Sequence, residues 1–453
     1  MELRIREVLE ALEGRLLEGD PEKKVVGIST DSRTLEAGQL FFALKGKRYD
    51  GHDFLEEVKQ KGASGAVIQR EVGRIGFSLI KVENTLHALG RLASFWRDRL
   101  KGVVIGITGS CGKTTTKEMI THLLNLGGFK VSQSPKSYNN QIGLPLSLLW
   151  ASPEDEAIVL EMGMSSFGEI SYLSRIARPK LGVITNIGPA HLEGVSDLKG
   201  VQRAKSELLH GMNSDSILIY NEDDPLVREI AQNFEGEKVS FGKSSKSTIR
   251  AEDIRVTEKG VSFTLRVPSE NIRVSTRVLG EGGFYCSLAA SSVAIVMGIP
   301  LEKIGEGLSS FEPLPMRGRM VRLRDFWIID DCYNSNPLSL RSALNVLSLA
   351  SGRKIAVLGD MAELGSSAEV YHKEVGRWCA QLGIDALFLL GKWAESIASG
   401  AIEEGFKGFL FIGKDHAEIG KALKEYLREG DLVLLKGSRI MEMEKVKGFL
   451  EEE

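Results

Sequence analysis

The chain has 453 residues, 42% of them apolar and 26% charged, with a formal net charge of −3 at pH 7. That length exceeds one ordinary hydrophobic core and implies several domains. The near-neutral charge excludes a dedicated nucleic-acid or anionic-membrane binder, which needs a basic excess, and no apolar run is long enough to span a bilayer.

The opening stretch, "MELRIREVLEALEG", mixes charged and apolar residues as an amphipathic helix does, and lacks the apolar core of a signal peptide. Up to about residue 80, runs such as "KVVGIST" and "GQLFFAL" read as short strands between turns, with Phe41 and Phe42 as core. "ENTLHALGRLASFWRDRL" carries Leu86, Leu89, Leu92, Phe95 and Trp96 on a helical period and reads as a helix that could link two domains. From Val103 the pattern changes. "VVIGITG", "AIVLEMG", "LGVITNIG" and "SILIYN" are apolar on both faces, as buried parallel strands are, and helical stretches alternate with them. A more polar strand-like region then leads into "GEGGFYCSLAASSVAIVMGI", a helix rich in small residues. From "FEPLPMRGRM" onward a second set follows: "FWIIDDCYN", "KIAVLGDM", "ALFLLG", "GFLFIG" and "LVLLKGS". This set is compatible with a Rossmann-like α/β unit. The cysteines, Cys111, Cys286, Cys332 and Cys379, are far apart and form no metal-type pair, which fits a reducing cytoplasm.

The chemistry concentrates at the first of the buried strands. In "VVIGITGSCGKTTTKEMITHLL" a strand runs through a glycine turn into a helix. Glycines let backbone N–H groups approach a phosphate, and the helix N-terminus adds partial positive charge. Gly109, Ser110, Cys111, Gly112, Thr114 and Thr115 would surround the phosphates, Lys113 would reach the outer ones, and the Thr114 hydroxyl would ligate Mg²⁺. The spacing, G-x-x-G-K-T, is more compact than that of a standard Walker loop, which disfavours an ordinary P-loop kinase or GTPase.

This loop and the segments after it resemble the Mur ligase superfamily. "KSYNNQIGLPLSL" places Asn139, Asn140 and Gly143 on motif positions, "LEMGMSS" offers Glu161 as an acidic Mg²⁺ ligand, and "TNIGPAHLE" offers His191 as ligand of a second Mg²⁺. "RAKSEL" places Lys205 where the superfamily carries a lysine carbamate. "DDCYNSNPLSLRSAL", "VLGDMAELG" with His372, and "LLKGSRIMEME" resemble the last cytoplasmic ligase of peptidoglycan precursor synthesis, and "STDSRTLEAGQLFFALKGKRYDGHDF" resembles a uridine-nucleotide domain.

The resemblance implies an α/β, three-domain Mur ligase architecture. Residues 1–80 would bind the UDP substrate, 81–312 would form a P-loop-type ATP domain, and 313–453 a Rossmann-like C-terminal domain. It implies a ligase that uses ATP and Mg²⁺ to join D-alanyl-D-alanine to UDP-N-acetylmuramoyl-tripeptide through an acyl phosphate, acting as a cytoplasmic monomer. Arg319 and Asp331 would reach the nucleotide from the third domain, with Asn334 and Asn336 on the substrate, and Ser32 and Arg33 would contact the uridine nucleotide. From the residues alone, Arg33 could equally pair with Asp31 or Asp50, and Asp50, Gly51 and His52 read first as loop-shaping. One motif departs from the superfamily. Gly282, Gly283 and Cys286 stand where a His and two Asn that approach adenine are expected. Two rivals follow: another amide ligase of the superfamily, or a nucleotide-binding scaffold without catalysis.

Overall fold

The computed structural model describes residues 1–451. Three separate sheets carry the chain, with a small two-stranded ribbon, Glu2–Arg4 against Lys24–Val26, beside the first. The first sheet orders Arg15–Glu18, Ser78–Lys81, Gly65–Ile68, Leu40–Phe42 and Ile28–Ser29. Phe41 and Phe42 are fully buried in it, as the sequence suggests.

The second sheet has nine strands and positions the site. Val103–Thr108 lies in its interior, parallel to Ala157–Glu161 on one side and Leu181–Ile184 on the other. Every residue of Ala157–Glu161 and Leu181–Ile184 is buried, as expected of strands covered on both faces. Ile217–Asn221 and Glu237–Gly242 continue the parallel order. The polar strand-like region, Ile249–Thr257, Gly260–Arg266 and Asn271–Thr276, then extends this same sheet as an antiparallel edge. The helix Gly280–Val296 crosses back beside the helix Lys113–Leu126, and both pack on one face of the sheet through Leu288, Val293, Met119 and Leu123.

The third sheet orders Arg319–Leu323, Phe326–Asp330, Leu432–Lys436, Lys354–Gly359, Ala386–Leu390 and Phe409–Gly413, parallel throughout except for the antiparallel first strand. The helix Thr85–Arg97 starts under Asn84, whose side chain accepts from the Leu86 and His87 N–H groups. It is tied to the second unit by Trp96, whose indole donates to the Ala151 carbonyl at 3.1 Å. In open α/β sheets, ligands bind outside the carboxyl ends of parallel strands. Thr108, Glu161 and Ile184 end their strands on one such edge, and Asp330 and Lys436 end theirs on another. These two edges meet across one cleft of about 880 Å³.

Candidate active site

The phosphate loop leaves its strand at Gly109. Its φ of 150° and a missing side chain are both required there, because a Cβ would sit 1.9 Å from the Thr185 hydroxyl. The segment "TNIG" clamps the loop from behind. Asn186 accepts from the Cys111 N–H at 2.8 Å, Thr185 donates to the Cys111 carbonyl at 2.8 Å, and the Ser110 hydroxyl donates to the Gly188 carbonyl at 2.9 Å. Gly112 then opens the helix Lys113–Leu126 with φ 80°, and no side chain caps that helix. By contrast, Asn84, Asp224 and Asn336 each cap their own helices. The free N–H groups of the uncapped first turn face the cleft edge, where an anion satisfies them. Lys113 lines the cleft, its ammonium resting on the Gly109 carbonyl at 2.8 Å.

Gly112→Ala tests the loop. The left-handed backbone costs a non-glycine residue about 1–2 kcal/mol, and the new Cβ would stand 2.8 Å from the Cys286 sulfur. A thermal melt should report that loss, and nucleotide affinity should fall with it. An unchanged melt and affinity would mean that the loop tolerates ordinary geometry.

Glu161 is buried, and its two oxygens accept from the Thr114 hydroxyl and the Asn139 amide, each at 2.7 Å. Asn140 caps the next segment by accepting from Ile142 and Gly143 N–H groups, and faces the cleft. Lys117, one turn beyond the phosphate loop, is fully buried and donates to the Ser134 and Lys136 carbonyls at 2.5 and 2.7 Å, which fixes the loop that delivers Asn139. Lys205, on the helix Leu198–Ser206, is fully buried and its amine has no hydrogen-bond partner among the described residues. Burial, then the nearby Lys113 charge, push its pKa well below the usual lysine range. A surface pair with Glu207 is excluded, because the Glu207 carboxylate is engaged by the Gly168 and Ser171 N–H groups.

No group of three His, Cys, Asp or Glu side chains forms a ready metal cage among the described residues. The donor set nonetheless fits Mg²⁺, which is bound through one or two carboxylates plus substrate phosphates and keeps several waters. Thr114 and Glu161, 2.7 Å apart at the phosphate loop, are such a set, and His191 lines the same cleft.

The third sheet closes the cleft. Asp331 is held by Lys436 at 2.6 Å; burial raises its carboxyl above the usual range, and the Lys436 charge opposes that rise. Asn336 accepts from the Cys111 thiol at 3.1 Å while capping its own helix, Pro337–Ser348. Tyr333 meets the Ser137 hydroxyl at 2.5 Å, and Arg317 stacks 3.8 Å over the Tyr333 ring. Asn334 lines the cleft and lends its carbonyl to Lys436 at 3.1 Å. Cys111, which reads from sequence as a passive small residue, therefore makes one of the contacts between the two sheet edges.

Of the residues singled out in the sequence, Ser110, Cys111, Gly112, Lys113, Thr114, Thr115, Asn140, Glu161, His191, Asp331, Asn334 and Asn336 line this one cleft. Gly109 and Lys205 are not among its lining residues. Arg319 is not brought in: it is exposed at the start of the strand Arg319–Leu323, whereas Arg317, two residues earlier, lines the cleft together with Arg341 and Arg439. Ser32 and Arg33 also lie outside it. Arg33 is exposed and pairs with Asp31 through both carboxylate oxygens, at 2.9 and 2.7 Å, and this holds the Asp31 pKa down at about 2. Asp50 and His52 shape their loop, the ring lying 2.6 Å from Asp50 and accepting from the Gln69 N–H at 3.0 Å.

In the departing motif, Gly283 has a steric reason. A Cβ at Gly283 would lie 2.7 Å from the Val278 backbone, so this helix start has no room for an asparagine. Cys286 packs against the phosphate loop, 3.6 Å from the Gly112 carbonyl. Tyr285 donates to Asp223 at 3.0 Å, and both line the cleft.

A parallel sheet with a compact phosphate loop, closed over by a Rossmann-like sheet, defines a nucleotide-dependent enzyme of the ligase type. Family models agree along the chain: "Mur ligase family, catalytic domain" matches residues 24–97, "Mur ligase middle domain" 107–294, and "Mur ligase, glutamate ligase domain" 316–439. The chain belongs to the Mur ligase family. It is 35% identical over 448 residues to the UDP-N-acetylmuramoyl-tripeptide–D-alanyl-D-alanine ligase of Bacillus subtilis, covering 98% of this chain and 97% of that one. The Escherichia coli ligase of the same name is 33% identical, over 94% of this chain and 93% of that one. A crystal structure of MurF from Acinetobacter baumannii superposes with a TM-score of 0.93 at 31% identity, covering 100% of this chain and 99% of that one. MurF from Thermotoga maritima in complex with ADP gives 0.85 at 29% identity, covering 94% and 97%.

Proposed function

We propose that the chain is an ATP-dependent ligase joining D-alanyl-D-alanine to UDP-N-acetylmuramoyl-tripeptide in peptidoglycan precursor synthesis. The observation that carries this reading is the convergence, in one cleft between two sheet edges, of an uncapped phosphate-loop helix, a Thr114–Glu161 pair and a buried orphan lysine. The near full-length likeness to ligases of that name supports it.

The chemistry follows from charge. A carboxylate oxygen of the tripeptide attacks the γ-phosphorus of ATP, and ADP leaves. The dipeptide amine then attacks the acyl carbon, the C–O bond to phosphate breaks, and inorganic phosphate departs as the amine loses a proton. The first step drives an anion toward a polyanion, so positive charge is the main requirement. Lys113 and the first-turn N–H groups supply it on the phosphates, with Arg317 on the cleft wall and Arg319 as the second arginine candidate. Thr114 and Glu161 would hold one Mg²⁺ and His191 a second, and these ions would neutralise phosphate charge. A carbamate on Lys205 converts a cation that would repel metal into an anion that orients it, and its depressed pKa supplies the neutral amine that reacts with CO₂. Contacts from Asn336 and Tyr333 to the phosphate-loop side hold the cleft shut and keep water from the acyl phosphate. Ser32 and Arg33 contact the uridine nucleotide once Arg33 leaves Asp31. The reaction is cytoplasmic, where these nucleotide substrates are made.

A panel of UDP-linked acceptors against D-alanyl-D-alanine, D-glutamate, diaminopimelate and L-alanine tests the assignment. Turnover is expected only when the tripeptide acceptor and the dipeptide are both present. Turnover with a single amino acid would favour another amide ligase of the family.

Base selectivity follows from Gly282, Gly283 and Cys286. Missing side-chain hydrogen bonds to adenine forfeit about 1–3 kcal/mol, so the preference for ATP over GTP should be weaker, by roughly one to two orders of magnitude, than in relatives that carry the asparagines. Comparing turnover with the two nucleotides checks this. A preference of many thousand-fold would show that adenine is read by other groups, with Tyr285 and Asp223 the first to test.

A further inference from the structure

We infer that Glu363, on the third sheet's side of the cleft, is a positioning residue for His191, so that the histidine is set for a metal ion only when the two sheet edges have closed. The inference rests on the reading of His191 as a metal ligand. Glu363 lies in the loop after the strand Lys354–Gly359, far from His191 in the chain. Its Oε2 nevertheless stands 2.5 Å from His191 Nδ1. That nitrogen is buried, and the contact is short rather than ideally aligned for a hydrogen bond. A second tie joins the same two loops, since the Glu193 N–H donates to the Glu363 carbonyl at 3.2 Å. Both His191 and Glu363 hold left-handed backbones, φ 56° and 61°, which non-glycine residues keep only where the surroundings impose them, and often at functional sites. Gly365 lies against the same loop, where a Cβ would make ordinary van der Waals contact with the Glu193 Cα at 3.4 Å.

The chemistry of such a pair is specific. A ligating imidazole presents one nitrogen to the metal and donates its other ring N–H to a carboxylate or carbonyl, which fixes the tautomer and the ring. With Glu363 beside Nδ1, an N–H donated from that nitrogen would leave the Nε2 lone pair for a cation in the cleft that His191 lines. Because His191 and Glu363 come from different sheets, the pair exists only in the closed arrangement. The bland alternative is a clasp that merely fastens the two units, and the two differ in what they do to metal binding.

The test measures Mn²⁺ affinity by electron paramagnetic resonance on the full chain with a non-hydrolysable ATP analogue, for His191→Ala, Glu363→Ala, Glu363→Gln and the His191→Ala/Glu363→Ala double variant. Circular dichroism confirms folding, and the near-isosteric Gln variant serves if Ala does not fold. Loss of such a partner typically weakens metal binding about 10–100-fold. Glu363→Ala is expected to weaken the Mn²⁺ site by that factor, Glu363→Gln by less, and the double variant by no more than His191→Ala alone. Wild-type Mn²⁺ affinity in both Glu363 variants, alongside a weakened His191→Ala, would overturn the inference and leave the metal role of His191 standing. Equal losses from removing Glu363 with and without His191 would also overturn it. Unchanged affinity in His191→Ala would instead refute the metal role itself, and the inference with it.

Discussion

Lys113→Ala should lower turnover by about 10³-fold or more, the scale seen when a charge-stabilising group is removed from a transferring phosphoryl group. The lysine opens the uncapped helix, and among the described residues its ammonium touches only the Gly109 carbonyl within hydrogen-bond range. It therefore acts through charge and not through packing, and the variant should keep the wild-type melting temperature. Glycine turns that serve only as connectors tolerate loss of the next side chain. Turnover near the wild-type rate in Lys113→Ala, measured as ADP release, would remove the phosphate-site reading.

Lys205→Ala should be similarly inactive, and its defect should be partly repaired from outside. The native amine is fully buried, unpartnered among the described residues, and has a depressed pKa because of its burial and the Lys113 charge. A buried unpaired polar group costs free energy, so its retention calls for a working form that has partners. A carbamate, as proposed above, would have them: it would be an anion able to meet the cations that the phosphate chemistry requires. Truncation to alanine leaves a space once filled by that anion. Adding short-chain carboxylates such as acetate should raise the activity of Lys205→Ala while leaving the wild type unaffected. Full activity of the variant without any additive would contradict the carbamate. Mass spectrometry of the native protein prepared under CO₂ gives an independent reading of the modification.

Local pattern carried most of the strands, since buried parallel strands such as "AIVLEMG" and "ALFLLG" are continuous apolar runs bounded by turns. It did not reveal that Ile249–Thr276 extends the second sheet, because joining an antiparallel edge to a parallel sheet is decided by pairing across the fold. The same limit divides the site. The phosphate loop and Glu161 were legible because a strand end, a glycine turn and a helix start are local chemistry. Arg317 was not. In "MRGRM" the turn holds Met316 and Gly318 at φ 63° and 70°, and this turn, not composition, places Arg317 on the cleft and Arg319 outside it. Lys205 was singled out by the "RAKSEL" resemblance, but the charges of "VQRAKSELLH" alone do not mark it as buried, and only packing shows that. Glu363 meets His191 across the cleft between two sheets, where no sequence spacing could announce it.

Activation of the tripeptide carboxylate by phosphoryl transfer is the central claim, and an isotope experiment reads it directly. The terminal carboxylate of UDP-N-acetylmuramoyl-tripeptide is labelled with heavy oxygen, and turnover is run with ATP, Mg²⁺ and D-alanyl-D-alanine. One labelled oxygen should appear in inorganic phosphate for each amide formed, because the C–O bond to phosphate breaks when the amine attacks. Label in AMP, or unlabelled phosphate released at the rate of amide formation, would contradict the account.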